Sequence, residues 1–422
     1  MGALGKGAAW SPLRHRAFRI VWLTFLAVQI ANWAETVGAV EVISEQSSST
    51  LLLALVQTAS TLPAVLFALP AGVAADMVDR RRLVIVLIAL TAFAMAVLSG
   101  LVAGDMASPA VVLGLTFAMG ATIAIAIPTF AALIQDLVPR ADIANAVALN
   151  GISINLARVV GPALAGGILA LVGAGVLFAL LAAALSAMAI TLLTAPRSTT
   201  PPPGKGERIG DALKVGLRFA RSSRELQVCL VRGFLFVLPA SAMWAVLPAV
   251  AVDSLHLDAA AFGGILGALG VGAVLGAQVL PHVRARFGLE PLILCGSVYA
   301  AVNLLVLGLV HVTAIVVVSL VLTGVAWMAV VSSLQTAAQL AARTRVRGRA
   351  LSIYQLVFQG GMSGGSAIWG VVAQMAGLRP ALLVAACGLL ATLLARHRWP
   401  LAHAAEVITV GRAAPAGDAA AK

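Results

Sequence analysis

The chain has 422 residues, of which 61% are hydrophobic and only 10% are charged. Soluble globular domains carry about 25% charged residues, so this composition excludes a soluble fold. It also excludes a disordered chain, which would combine low hydrophobicity with high charge. A net charge of +12 would indicate a nucleic-acid partner in a soluble protein. In a chain made of apolar segments it instead follows from the enrichment of Lys and Arg on the cytoplasmic side of a membrane, so we expect no nucleic-acid partner.

Continuous apolar runs such as residues 83–102 predict membrane-spanning α-helices, because the strands of a membrane β-barrel would alternate polar and apolar side chains. Each span needs roughly 20 residues, so the length accommodates twelve spans with short connections. The first run is too long for a cleaved signal peptide, and we expect it to be retained. In chain order, the predicted spans are 18–44, 51–75, 83–103, 108–134, 143–171, 174–195, 226–252, 261–283, 290–310, 313–340, 349–376 and 379–396.

Lys and Arg are distributed unevenly over the predicted connections. All but three of the 28 lie on the side that holds both chain ends and the connection between the sixth and seventh helices. The exceptions are Arg379 on the opposite side and Arg158 and Arg232 within spans. Because basic residues accumulate on the cytoplasmic side, we predict an inner-membrane protein whose termini are both cytoplasmic.

Residues 196–224 divide the chain into two parts. A Pro-rich stretch, PRSTTPPPGKGE, is followed by RIGDALKVGLRFARSS, whose apolar residues fall on one helical face. This pattern favours a helix on the lipid surface, with a helix that docks a partner as the alternative. The predicted domains are a six-helix bundle over 1–195, a cytoplasmic linker over 196–224, a second six-helix bundle over 225–398 and a cytoplasmic tail over 399–422.

The two halves of the chain resemble each other. Residues 145–167 and 348–370 both begin after a short basic loop and become Gly-rich. A second pair of similar segments, the loops that begin at Gly72 and Gly276, is separated along the chain by nearly the same number of residues as the first pair. This repetition indicates a duplicated six-helix unit. The fold class is therefore an all-α membrane protein with twelve transmembrane helices in two pseudo-symmetric bundles, and such repeats place a substrate site at their interface.

Three segments resemble the major facilitator superfamily, over roughly residues 12–398. They are PLRHRAFRIVWL at 12–23, RGRALSIYQLVFQGGMSGG at 347–365, and the loop after the second helix that carries Gly72, Asp76, Arg80 and Arg81. They are most similar to the branch of enterobactin exporters and macrolide efflux proteins. The resemblance implies export of a small siderophore-like or amphipathic drug-like molecule by alternating access, with protons as the coupling ion.

The resemblance also implies a conformational latch. In the family, the acidic and basic residues of this loop hold the halves together in the outward-facing state, and here Arg80 and Arg81 are within reach of Asp136 at the end of the fourth helix. The alternative interpretation is a set of positive-inside charges with an incidental acid. Met77 and Asp79 depart from the family pattern.

The fifth helix contains a segment similar to the antiporter motif of the family. Its residues are Gly161, Pro162, Gly166 and Gly167. Three residues separate the Pro from the Gly pair where the family has two, so plain small-residue packing is the alternative. The fourth helix lacks the Arg that many drug–proton antiporters carry there.

Charged groups inside a membrane are functional candidates because they are costly to place there. Glu35, with Asn32 on the same face, is either a carboxylate that exchanges protons or a static partner of Arg158. Arg158 is either a clamp for an anionic substrate or a structural counter-ion. Glu41 would line the outer mouth, and Arg232 is expected to be structural.

Tyr354, Gln355, Phe358 and Gln359 share one face of the eleventh helix and are the candidate wall of a substrate site. The chain has no phosphate-binding loop, so we expect no ATP hydrolysis and no cofactor. None of the six His residues forms an intramembrane cluster, so we expect no metal site. The alternatives to organic-molecule export are a nickel-type metal exporter and a non-transporting sensor or assembly protein. We expect a monomer that is not an enzyme.

Overall fold

The computed structural model describes residues 10–67, 78–139, 142–194, 217–341 and 347–401, and within these ranges every regular element is a helix. Twelve long helices account for nearly all of them. They are α1 (Arg16–Gln46), α2 (Thr50–Leu66), α3 (Arg80–Ala103), α4 (Pro109–Asp136), α5 and α6 (both within Ile143–Thr194), α7 (Arg224–Ala249), α8 (Ala259–Phe287), α9 (Leu289–Leu309), α10 (Thr313–Ala341), α11 (Arg347–Ala376) and α12 (Leu378–Thr392).

Gly173 separates α5 from α6. Its φ of 81° and ψ of 174° interrupt the helical segment Ile143–Thr194, and a backbone with positive φ favours glycine because it has no Cβ. The predicted boundary between 171 and 174 is therefore confirmed. Short elements flank other helices: a 3₁₀ turn (Ser11–Arg14) precedes α1, and a π-helical turn (Val250–Ser254) extends α7.

Most of the described helices are long and apolar enough to cross a bilayer. Nine helical segments meet this standard within the described ranges, and one of them contains both α5 and α6. The remaining two are α2, which is apolar over a shorter length, and α11, which is interrupted by Gly, Ser and Gln residues. The predicted twelve-helix fold is confirmed. Most of the predicted linker and tail lies outside the described residues, as do residues 68–75 of the predicted second span.

The helices form two groups of six that meet along two seams. In one seam α2 packs along α11, and in the other α5 packs along α8. Because successive helices alternate in direction, one end of the bundle holds residue 10 and the α6–α7 connection; we call it the linker end. The opposite end, which holds the α1–α2 and α7–α8 connections, we call the far end.

The α2–α11 seam is held by hydrogen bonds at the far end. Gln374 Oε1 on α11 accepts from the Ser49 hydroxyl at 3.1 Å and from the Leu51 backbone N–H at 3.3 Å, both at the start of α2. Halfway along α2, the Thr58 hydroxyl donates to the Ser363 carbonyl at 3.3 Å. These contacts tie the two halves together at the far end.

The α5–α8 seam is closed by small residues instead. A Cβ added at Gly263 of α8 would clash with the Pro162 carbonyl oxygen and would lie 3.0 Å from the Gly166 Cα, both on α5. Only glycine permits this approach of the two backbones.

At the linker end, the N-terminal turn is attached to the start of α5. The Ser11 hydroxyl donates to one oxygen of the Asp142 carboxylate at 2.5 Å, and His15 Nε2 lies 3.4 Å from the other. The Ser11 hydrogen bond holds the pKa of this carboxyl below its usual value. These contacts fix the direction in which the chain enters α1.

Candidate functional site

A small cavity lies between the two halves toward the far end. Helices α1 and α2 of the first half and α7 and α8 of the second enclose about 20 Å³, which is enough for about one water molecule. Its lining is apolar apart from Thr36 and Gln57. The rings of Trp33 on α1 and Trp244 on α7 form part of its wall, so the halves are closed over one another at this level.

A row of aromatic rings continues from this cavity into the second half. Trp33 and Trp244 have ring centroids 5.9 Å apart, and Trp244 meets Trp327 of α10 edge-on at 5.6 Å. Trp327 in turn meets Phe358 of α11 at 6.3 Å, and Phe358 stacks on Tyr354 at 6.1 Å. We call these five residues the aromatic row. Offset and edge-on pairs of this kind are the favourable geometries for aromatic rings.

Arg158 on α5 reaches the first ring of this row. Its guanidinium carbon lies 5.4 Å from the Trp33 ring centroid, a cation–π contact. The Nε of Arg158 is buried and has no hydrogen-bond acceptor among the described residues, and the same holds for the indole Nε1 of Trp244 and the hydroxyl of Tyr354. Buried polar groups normally have partners, so these three atoms need an explanation.

Glu35 points away from the aromatic row, toward α4. It is only 3% exposed, and the Thr116 hydroxyl donates to its Oε1 at 2.6 Å. Its partner in this structure is therefore Thr116 and not Arg158. Asn32, one turn earlier, is half-buried, and Glu41 is half-buried near the far end of the same helix.

The predicted face of α11 is divided between two environments. Tyr354 and Phe358 are buried in the second half, where the Tyr354 ring lies against Gly233 of α7. Gln355 is exposed and Gln359 is half-buried. The aromatic pair thus joins the aromatic row, whereas Gln355 stays outside the packed interior.

The predicted latch can be followed only in part. Gly72 and Asp76 lie outside the described residues, as does the side chain of Asp136. Arg80 begins α3. Arg81 donates three hydrogen bonds of 2.6 to 3.0 Å to the last carbonyls of α6, those of Leu192 and Leu193. A cation at these carbonyls is favourable because the C-terminal end of a helix is electronegative.

The four motif residues of α5 face different neighbours. Gly161 lies against the Trp33 Cβ and the Ile30 carbonyl of α1, whereas the Pro162 carbonyl and Gly166 face Gly263 of α8. Gly167 faces open space. One stretch of α5 therefore positions Trp33 inside its own half and also forms the seam with the other half.

Sequence reasoning missed Trp33 and Thr116. Both lie in apolar spans, where a Trp or a Thr usually packs against lipid or a neighbouring helix. Nothing in the sequence connects Thr116 with Glu35, which is 81 positions away. Only the relative rotation of α1 and α4 brings their side chains together.

Comparisons with known proteins identify the family. A family model described as transmembrane secretion effector matches residues 7–416, which is nearly the whole chain. The chain belongs to the transmembrane secretion effector family. Membership places it in the major facilitator superfamily, among multi-pass membrane transporters and not among enzymes.

Curated relatives of this family member include two enterobactin exporters. The exporter EntS of Citrobacter koseri is 30% identical over 198 residues, and that of Shigella boydii is 33% identical over 201 residues. Each match covers 47% of this chain and 46% of the relative. The chain thus spans about half the length of the curated relatives it matches.

Solved structures agree on the fold. A mutant of the nucleoside transporter NupG superposes with a TM-score of 0.74 at 14% identity, covering 91% of this chain and 99% of the transporter. A D-xylose–proton symporter superposes with a TM-score of 0.68 at 15% identity, covering 89% of this chain and 95% of the symporter. At such identities the likeness shows the fold alone.

Proposed function

We propose that this protein is a secondary transporter that exports a small organic molecule by alternating access, in antiport with protons. The observation that carries the proposal is the closure between the two halves: Trp33 meets Trp244 across it, and the half-buried cation Arg158 contacts Trp33. A site at the interface of two repeats is where such transporters hold their substrate. The matched enterobactin exporters support a siderophore-like or amphipathic substrate.

The direction of access follows from the charge distribution. In the topology predicted from the sequence, nearly all Lys and Arg residues fall on the side of the linker end, which supports a cytoplasmic linker end in the inner membrane. The seams described above close the far end. Export then requires these far-end seams to open after substrate has entered from the cytoplasm.

Glu35 is the proposed proton site. A carboxyl group inside a span is a default candidate for proton exchange, and this one is held by a single described hydrogen bond, from Thr116. Trp33, two positions earlier on α1, belongs to the cavity wall. Because a protonated and an ionised carboxyl interact differently with α4, protonation would shift α1 and with it Trp33. A proton that crosses about 100 mV supplies roughly 2.3 kcal/mol for this step.

Transport into inside-out membrane vesicles tests both the export of an organic molecule and its coupling to protons through Glu35. Labelled enterobactin and erythromycin would be offered with and without an imposed proton gradient. We expect gradient-driven uptake by the wild type, and uptake that no longer responds to the gradient in Glu35→Gln. Glu45→Gln is the matched control, because Glu45 is an exposed carboxylate at the far end of the same helix.

Two outcomes would contradict the proposal. If Glu35→Gln responded to the gradient as the wild type does, Glu35 would not be the proton site. If the folded wild type moved neither compound with or without a gradient, the proposal of organic-molecule export would fail.

A further inference from the structure

We propose that the site between the halves selects an aromatic ligand that bears an anionic oxygen, which Arg158 and Trp244 bind beside the Trp33 ring. This inference rests on the proposed transport function, since it names the chemical class of the molecule that the same site receives. It is carried by Trp33 of α1 and by the two side chains that lie against its ring, Arg158 of α5 and Trp244 of α7.

Arg158 differs from two arginines on helices of the second half. Arg232 forms an ion pair with Glu290 at 2.6 Å, and Arg284 donates to Thr336 and Ser332 at 3.0 and 2.8 Å. Arg158 has no ion pair with any residue in the described part of the chain, and its guanidinium instead lies over the Trp33 ring. An uncompensated cation at this depth is costly, and a ligand anion would compensate it.

Trp244 provides a second unpaired donor on the other half. It is only 7% exposed, its Nε1–H has no acceptor among the described residues, and its ring adjoins Trp33. A guanidinium and an indole N–H donate hydrogen bonds but cannot accept them. The missing partner must therefore present acceptor atoms, and a carboxylate or phenolate oxygen supplies the strongest of these.

The surroundings select for an aromatic body. Beyond Trp244, the aromatic row continues through Trp327 and Phe358, so a flat ring can add to it in the same offset or edge-on geometry. Trp33 is already covered by Arg158, which holds the guanidinium in place before a ligand arrives. The nearby carboxyl group of Glu35 faces α4, so this pocket wall carries positive charge and disfavours cationic amphiphiles.

A set of four matched probes tests the inference. The full-length protein in lipid nanodiscs would be titrated calorimetrically at neutral pH with 2-naphthoate, 2-naphthamide, 2-naphthylmethylammonium and decalin-2-carboxylate. They represent an aromatic anion, its neutral analogue, an aromatic cation and a saturated anion. We expect 2-naphthoate to bind at least about tenfold more tightly than each of the others, because charge-assisted hydrogen bonds are the strongest and stacking needs a flat ring.

Variants assign this preference to the two donors. Arg158→Gln should remove the preference for 2-naphthoate over 2-naphthamide, and Trp244→Phe, which keeps a ring but loses the N–H, should reduce it. Arg158→Lys keeps the charge and guards against a folding defect in Arg158→Gln; it should show an intermediate loss. The matched controls are Arg284→Gln and Trp22→Phe, because both terminal guanidinium nitrogens of Arg284 and the Trp22 N–H already have acceptors within their own halves.

Several results would overturn the inference: equal affinity for 2-naphthoate and 2-naphthamide, tighter binding of the cation, no binding of any probe, or equal losses in Arg158→Gln and Arg284→Gln. The proposed function fails separately. Proton-driven export of a compound by a protein without the naphthoate preference would refute the inference alone. A protein that binds 2-naphthoate as expected but transports nothing would refute the transport proposal alone.

Discussion

Replacing Gly263 by Ala should open the far end of the molecule. The new methyl group would clash with the Pro162 carbonyl oxygen and lie 3.0 Å from the Gly166 Cα, and both are backbone atoms that cannot rotate away. To restore ordinary contact, α5 and α8 must separate by about 1 Å at this point. Overpacking of this kind typically costs 1 to 3 kcal/mol.

This cost applies only to the state in which the seam is closed. The population of that state relative to the open state should therefore fall by roughly 5- to 150-fold. Gly264→Ala is the matched control, because a Cβ at the neighbouring position has no atom within 4 Å. Both substitutions gain the same helix propensity, about 1 kcal/mol, so the difference between the two variants isolates the steric effect.

The measurement is a distance distribution between two spin labels at the far end. Labels at Leu171→Cys and Met375→Cys, which are among the most exposed side chains there, would be placed in a background without the native cysteines. Pulsed electron paramagnetic resonance should show a longer distance between the two labels in Gly263→Ala than in the parent protein or in Gly264→Ala. Identical distributions in the two alanine variants would refute the proposed role of the seam.

Two further substitutions address the linker end. Asp142→Asn weakens the hydrogen bond by which Ser11 attaches the N-terminal turn. Because the pKa of the Asp142 carboxyl is held below its usual value, the ionised carboxylate stabilises the protein at neutral pH, and this stabilisation is lost as the pH falls through the lowered pKa. The thermal midpoint of the wild type should exceed that of Asp142→Asn at neutral pH and converge with it in acid; a constant difference would contradict this. Arg81→Ala should lower the free energy of unfolding by about 1.5 kcal/mol, because it leaves the last carbonyls of α6 without their donors. Arg82→Ala, which removes only an exposed contact to Asp79, should cost less than about 0.5 kcal/mol in the same denaturant titration, and equal effects would argue against the capping role.

The helices could be predicted from the sequence because membrane spans are specified locally. A run of apolar residues must form its backbone hydrogen bonds within itself, so length and composition are sufficient to locate it. The break between α5 and α6 was also local, since Gly173 supplies the positive φ that ends the helix. The repetition between the two halves of the sequence then predicted the arrangement of two bundles.

The site depended on information that is not local. Glu35 and Arg158 stood out as charges within apolar runs, but their neighbours Thr116 and Trp33 did not, because Thr and Trp are unremarkable in such runs. Which side chains meet depends on the rotation of each helix about its axis. In α11, for example, helical spacing put Tyr354 and Gln355 on one face, yet one is buried and the other exposed.

The contrast between the two seams has a consequence for the path of opening. Along α2 and α11, separation must break directional bonds at Gln374 and Ser363, so that seam resists small displacements and then releases abruptly. Along α5 and α8, the smooth backbone surfaces at Gly263 and Gly166 can shift past each other gradually. The two sides of the molecule would therefore separate unevenly. Helices α5 and α8 would slide along each other first, and α2 would leave α11 only when the hydrogen bonds of that seam break.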